Sequence, residues 1–279
     1  MEEARRRRRR EEEKKKSRGQ AGPNGWVSAG WTCSHAHSLL STLQSHLRGT
    51  SPDRRAGCRV CFVGLVQSFS HYSAVAQRLG VNLVQAREKG QLVFVEALKT
   101  SAAVMLNESS DEAAQLFDYL RSPVPELRAL FEFVSVSLRQ REAEADSSST
   151  PVLIVDDLSV LLSLGVSVGA VLDFTHYCQA SICSRLQGSV VTLVRCDDEE
   201  NEDEDESSSC LLQALSHQCI LSLRVEGLQT GYCRDIHGQV EIWWRGSGES
   251  VQSQRKIFHY KVHDKGASFF APGTSSAVL

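Results

Sequence analysis

Residues 151–165 read PVLIVDDLSVLLSLG. The apolar residues Val152 to Val155 run without interruption into the paired aspartates Asp156 and Asp157. A strand that is apolar on both faces belongs inside a parallel sheet covered by helices on each side. The same signature recurs on either side of it. Cys58–Val66 (CRVCFVGLV) and Gln91–Leu98 (QLVFVEAL) lie upstream, and Val190–Arg195 lies downstream. Helical patterns fill the intervals. Tyr72–Leu79 stops at Gly80, and Asp111–Leu120 follows. Glu126–Gln140 sets Leu127, Leu130, Phe131, Val134 and Leu138 on one face, with Pro125 near its start, where proline is tolerated. Val168, Val171, Leu172, Thr175, Ile182 and Leu186 mark a further long helix.

Beyond this α/β body the pattern changes. Asp197–Glu206 holds nine carboxylates in ten residues and is followed by Ser207–Ser209, so residues 197–209 are expected to form a disordered acidic loop. Expected strands Gln218–Val225, Gly231–Ile236, Gln239–Arg245 and Arg255–Val262 come next with short links. Val240, Ile242 and Trp244 alternate with other residues at period two, as do Phe258, Tyr260 and Val262. His237-Gly238 and Lys265-Gly266 occupy positions suited to tight hairpin turns. The order, βα units first and antiparallel hairpins last, predicts a mostly parallel sheet extended by antiparallel strands at one edge.

At the front, residues 1–20 are almost all Arg, Glu and Lys, and Ala21–Gly25 is rich in Gly, Pro and Asn. Arg5–Arg10 and Lys14–Lys16 have the composition of a nuclear-import or nucleic-acid arm, but Glu11–Glu13 cancels much of the charge and suits a solvated tail. Ser34–Arg48 carries a short amphipathic pattern through Leu39, Leu40, Leu43 and Leu47. The reading divides the chain into an atypical charged segment, 1–56, and one domain, 57–279.

Bulk composition narrows the classes. A hydrophobic content of 41% supports a proper core, and a net charge of −3 gives no general pull toward nucleic acid or anionic membrane. The nine cysteines are scattered, odd in number and preceded by no apolar signal core, which reads as free thiols in a reducing compartment. The uncharged apolar stretch Leu158–Leu172 falls short of the roughly 20 residues that span a bilayer.

Several constellations invite chemistry. A hydrophobic strand ending in Asp156 matches the second nucleotide-binding motif of P-loop proteins, where an aspartate helps hold Mg²⁺. It equally matches a core strand whose aspartate caps the next helix. The companion phosphate loop, G-x-x-x-x-G-K-[ST], is absent. Its nearest approach, Gly25–Thr32 (GWVSAGWT), puts Trp31 in place of the lysine and is read as a chance match. Cys58-x-x-Cys61 lacks a second ligand pair and lies in a strand, where residues three apart face opposite ways. His259 and His263, with His237 nearby, are about 13 Å apart along a strand at four residues' spacing, too far for one metal ion. Ser68-Phe69-Ser70-His71-Tyr72 sits at the carboxyl end of a strand, the edge where ligands bind in open α/β sheets, but no G-x-S-x-G elbow accompanies it. Arg224, Arg234, Arg245, Arg255, Lys256, Lys261 and Lys265 populate the hairpin region and are nearly balanced by Glu226, Asp235, Glu241, Glu249 and Asp264.

Taken together, CFVGLVQSFSHYSAVAQRLGV (61–81), REKGQLVFVEALK (87–99), PVLIVDDLSVLLSLG (151–165), VLDFTHYC (171–178), EGLQTGYCRDIHGQV (226–240) and DKGASFFAPG (264–273) resemble the family of the sixth subunit of the Elongator complex. The resemblance spans residues 57 to 279. It implies a RecA-like fold that has lost its ATP-binding signatures, with no catalytic residue, cofactor or metal, and with Asp156 and Asp157 at a degenerate metal position. It implies a hetero-hexameric ring with the fourth and fifth Elongator subunits, which binds tRNA and supports the catalytic subunits in modifying the wobble uridine. Cytoplasmic location, with the nucleus as a second compartment, is expected, and the tRNA-contacting surface is left unassigned. The family's first strand has no counterpart in the reading of residues 1–33. A divergent RecA-like ATPase using Gly25–Thr32 and Asp156, and an adaptor unrelated to RNA docking through the charged tail or the acidic loop, are the competing readings.

Overall fold

The computed structural model describes residues 26–31, 58–105, 126–139, 150–195, 206–228, 233–245, 254–263 and 266–274. In chain order they form β1 (Trp26–Trp31), β2 (Cys58–Gly64), α1 (Phe69–Arg78), α2 (Leu83–Glu88), β3 (Leu92–Glu96), α3 (Ala97–Met105) and α4 (Arg128–Arg139). Then follow β4 (Thr150–Asp156), α5 (Leu158–Ser163), α6 (Val168–Cys178), a π-helical turn (Gln179–Arg185) and β5 (Ser189–Val194). The last elements are α7 (Glu206–Gln218), β6 (Leu221–Gly227), β7 (Gly238–Trp244), β8 (Gln254–His263) and β9 (Gly266–Phe270). The strands make one sheet in the order β3-β2-β4-β5-β1-β6-β7-β8-β9. Pairing is parallel from β3 to β6 and antiparallel from β6 to β9. This is the RecA-like architecture expected from the sequence.

The continuous apolar runs are buried on both faces, as their composition requires. Val60, Cys61, Phe62 and Val63 of β2 are all fully buried, and Val152 to Val155 of β4 nearly so. One face of the sheet packs against α4, α5, α6 and α7 through Leu130, Leu158, Phe174 and Leu211. The other packs against α1 and α2 through Tyr72, Ala76, Leu83 and Ala86, and this core runs on into the antiparallel strands at Val225, Val240 and Tyr260.

Six expectations need correction. Residues 1–33 do contain a strand: β1 lies in the middle of the sheet, parallel to β5 and to β6. Ser28, Ala29 and Gly30 give this segment little strand propensity of its own, and hydrogen bonds to a neighbour on each side decide its state. The organised body therefore begins before residue 57. At the other end of the acidic run, Glu206 to Ser209 open α7, so the serines after the carboxylates belong to a helix whose buried Leu211 and Leu215 anchor it. Gly231–Ile236 forms no strand where it is described, and His237-Gly238 is no turn. Gly238 instead starts β7 opposite Gly227 and Tyr260. A Cβ there would lie 2.1 Å from the Glu226 carbonyl oxygen and 2.8 Å from the Tyr260 ring, so only glycine permits the approach. Residues 97–98, read as strand, begin α3. The long helix expected from Val168 to Leu186 is α6 followed by the π-helical turn. Helices α2 and α3 and strand β9 were not expected. The expected helices at 34–48 and 111–120, and residues 197–205, lie outside the described residues.

Candidate functional site

In an open α/β sheet the ligand edge is the carboxyl end of the parallel strands. Here that edge brings together the ends of β2 and β4 and the start of α1. β2 and β4 pair in register to Gly64 and Asp156, and the Leu65 amide then donates to the Asp156 carbonyl at 2.5 Å. Ser68 caps α1, its hydroxyl accepting from the His71 amide, and the Phe69 amide donates to Glu96 Oε1 at 3.0 Å. This entry angle turns Tyr72 inward, where it is fully buried against Phe62 and Phe94 with ring centroids 4.7 and 5.7 Å away.

Tyr72 closes the site. Its hydroxyl donates to Asp156 Oδ2 in a short hydrogen bond, and Asp156 is only 7% exposed. The neighbouring Asp157 does different work: its Oδ1 accepts from the Ser159 amide at 2.6 Å and caps α5. Of the two readings of the aspartates, the helix cap therefore holds for Asp157, while Asp156 is sealed under a tyrosine. The Asp156 carboxyl is pushed up to about 6. Burial is the main cause; the Tyr72 hydrogen bond opposes it, the charge of Asp157 adds to it, and Arg195 opposes it. Burial likewise raises Asp157, and it raises the Tyr72 hydroxyl far above its ordinary value. The donor set does not fit a hydrated divalent cation, which prefers to keep several waters and to meet open carboxylate oxygens. Among the described residues no group of three or more His, Cys, Asp or Glu side chains is placed to hold a metal.

The remaining candidates disperse. Gly25–Thr32 contributes β1, not a loop, and from Ser17 to Glu88 the chain contains no lysine that could reach a phosphate. Ser68 and His71 are exposed and serve the start of α1. Cys61 is buried, and that burial pushes its thiol up to about 12, where it is neutral and inert. Among the described residues Cys61, Cys178, Cys183, Cys210, Cys219 and Cys233 are in no disulfide. The three histidines take separate partners: His237 Nδ1 accepts from the Val262 amide at 3.1 Å, His263 meets Ser268 Oγ at 2.9 Å, and the His259 ring stacks edge-on to Phe270. Three of the hairpin cations are held in ion pairs, Arg224 with Glu226, Arg255 with Glu241, and Lys261 with Asp235.

What the residue pattern did not reveal is the role of Tyr72 as the partner of Asp156, 84 positions away. Its only signal was helical spacing, which puts Tyr72, Ala76 and Leu79 on one buried face.

The model of a family described as Elongation complex protein 6 matches residues 50–264. This chain belongs to that family. Elongator complex protein 6 of Danio rerio is 62% identical over 225 residues, 81% of this chain and 84% of that relative. The human protein of the same name is 48% identical over 227 residues, again 81% of this chain and 84% of that relative. That of Dictyostelium discoideum is 24% identical, covering 77% of this chain and 76% of its own length. The Elongation complex protein 6 match takes in β2 through β8, and so includes the sealed site and the antiparallel extension. In structure the chain is similar to an uncharacterised protein from Pyrococcus horikoshii, solved with an unknown peptide, at a TM-score of 0.57 and 9% identity, covering 88% of this chain and 91% of that one. That likeness concerns the fold alone.

Proposed function

We propose that this chain is a non-catalytic subunit of the Elongator complex. It joins a hetero-hexameric ring of RecA-like subunits with the fourth and fifth Elongator proteins, and the ring binds tRNA while the wobble uridine is modified. Family membership supports the assembly, since the relatives carry the name of a complex subunit. The observation that carries the non-catalytic role is the Tyr72–Asp156 hydrogen bond, which occupies the carboxylate that a nucleotide-hydrolysing relative would turn toward Mg²⁺. The antiparallel extension supports a role in assembly. On the face away from the core it leaves Trp243 and Ile257 44% and 38% exposed, large apolar side chains that suit a protein contact. With the hairpin ion pairs in place, tRNA is held by composite surfaces of the ring more than by this chain alone. The cytoplasm is its proposed place of work, with the nucleus as a second compartment.

Affinity purification of the tagged chain from cytosol tests the assembly, with co-purifying proteins identified by mass spectrometry. Recovery of the fourth and fifth Elongator subunits in comparable amounts is expected, and gel-shift binding of tRNA by the reconstituted ring but not by the isolated chain. Their absence from the purification rejects the ring. Magnesium-dependent ATP binding that is lost in Asp156→Ala would replace this reading with the divergent ATPase.

A further inference from the structure

The helical layer carries a second surface, apart from the sealed site. Between α4 and α6 lies a cavity of about 500 Å³. Its lining includes Phe131, Phe174 and Tyr177, with Glu126, Glu132 and Asp173 around them. Phe131 and Tyr177 stand side by side, ring centroids 5.6 Å apart, and Tyr177 is 61% exposed although it is a large aromatic residue. One guanidinium, Arg128, is present, and it is tied to Glu132 at 2.9 Å on its own helix. The rim is therefore net negative over an aromatic wall. The cores of both helices are already satisfied: Leu130, Val134 and Leu138 from α4 and Val171, Phe174 and Cys178 from α6 are buried on the sheet. Tyr177 is thus surplus to the fold's own packing, and Phe131 beside it is only partly buried against the core.

We infer that this groove is a docking site for a basic amphipathic segment of a partner protein. Charge complementarity selects the occupant. Lysine or arginine side chains pair with Glu126 and Asp173 and lie against the Phe131–Tyr177 wall, where a cation gains from the ring faces. Aliphatic side chains of the same segment fill the cavity, whose volume falls within the ordinary range for ligand sites of about 300–1,000 Å³. The site is separate from the surface proposed for ring assembly. α4 sits over β2 and β4, and α6 packs beside α4. β4 is four strand spacings from β7, about 19 Å at roughly 4.8 Å each.

The test uses the full chain and a fluorescein-labelled synthetic peptide of alternating leucine and lysine clusters, read by anisotropy. Two variants report on the groove, Tyr177→Ala and the pair Glu126→Gln with Asp173→Asn; all three positions are exposed, so folding survives and is verified by circular dichroism. A third, Glu202→Gln with Asp203→Asn and Glu204→Gln, reports on the acidic run. Saturable micromolar binding is expected, weakened about tenfold by either groove variant and changed less than about twofold by the acidic-run variant. No saturable binding, or groove variants that bind as the parent does, overturns the inference. Loss of binding in the acidic-run variant overturns it too, and assigns the peptide to residues 197–206. In the ring reconstituted with its partner subunits the groove variants assemble normally, which separates this site from ring assembly.

Discussion

Strands β2 and β4 and strands β7 and β8 belong to one sheet yet live under opposite constraints. The first pair is covered on both faces, and every residue from Val60 to Val63 is fully buried. The second pair is covered on one face only. Val240, Ile242, Tyr260 and Val262 join the core, while on the opposite face Trp243 lies under the Arg255 guanidinium at 4.9 Å, half in solvent. A RecA-like fold usually reserves the carboxyl edge of its parallel strands for a ligand. Here that edge is packed shut by Tyr72, and the surfaces proposed for partners lie at the antiparallel end and on the helical layer. Mutations in the two regions should therefore separate stability from binding.

The largest effect is expected at the closed end. Phe62 is fully buried and packs on both Tyr72 and Phe94, 4.7 and 5.0 Å between centroids, so Phe62→Ala should cost about 3–5 kcal/mol in urea unfolding. Gly64→Ala comes next. Its Cβ would stand 2.9 Å from Phe94 Cζ and 3.3 Å from Tyr72 Cε2, and Phe94 is wedged edge-on between Phe62 and Phe69. Overpacking of this kind costs about 1–3 kcal/mol. A cost near zero for either would mean that the edge is loose enough to open, and the comparison would fail.

Tyr72→Phe sharpens it further, because the ring stays and only the donor to Asp156 goes. Leaving a buried carboxyl without its partner costs about 1–3 kcal/mol. The sign with pH is fixed by the raised carboxyl. Between its ordinary value of 3.8 and about 6, the folded chain keeps a proton on Asp156 that the unfolded chain has lost. The parent should therefore lose stability as pH rises through that window. Asp157, also raised by burial, adds a slope of the same sign. Asp156→Asn should remove most of the slope. Tyr72→Phe should extend it to higher pH, since the lost hydrogen bond favoured the ionised form. Urea midpoints across about pH 4 to about 8 read all three.

How much of this was legible depended on whether a segment's own residues or its neighbours decide its state. Val152–Val155 and Val60–Val63 announce buried parallel strands because no other environment accepts such runs. Leu130, Val134 and Leu138 likewise place α4 by spacing alone. β1 was missed because Ser28, Ala29 and Gly30 carry no such signature, and only pairing with β5 and β6 makes them a strand. α7 was hidden by the carboxylates and serines at its start, although Leu211 and Leu215 hold it to the core. At the candidate site, the missing phosphate-loop lysine and the unusual Asp156-Asp157 pair were plain in the sequence. The hydroxyl that occupies the Asp156 carboxyl was not, because Tyr72 and Asp156 meet only through the register of β2 with β4.

The smallest stability effect is expected where the effect on binding is largest. Trp243 is 44% exposed, and its folded-state contacts are mainly the stacked Arg255, itself ion-paired with Glu241. Trp243→Ser removes the ring without opening a cavity, and Arg255 keeps its carboxylate. Thermal or urea unfolding should shift by no more than about 0.5 kcal/mol, the usual range for a surface site. If this face meets a neighbouring subunit, the same ring is the kind of half-exposed aromatic anchor that costs about 2 kcal/mol or more when truncated at an interface. Co-purification of the fourth and fifth Elongator subunits should then fall at least tenfold while the chain remains folded. Unchanged recovery would move the assembly surface away from β7 and β8. A large loss of stability with unchanged recovery would make Trp243 a core residue, and the contrast between the two ends of the sheet would collapse.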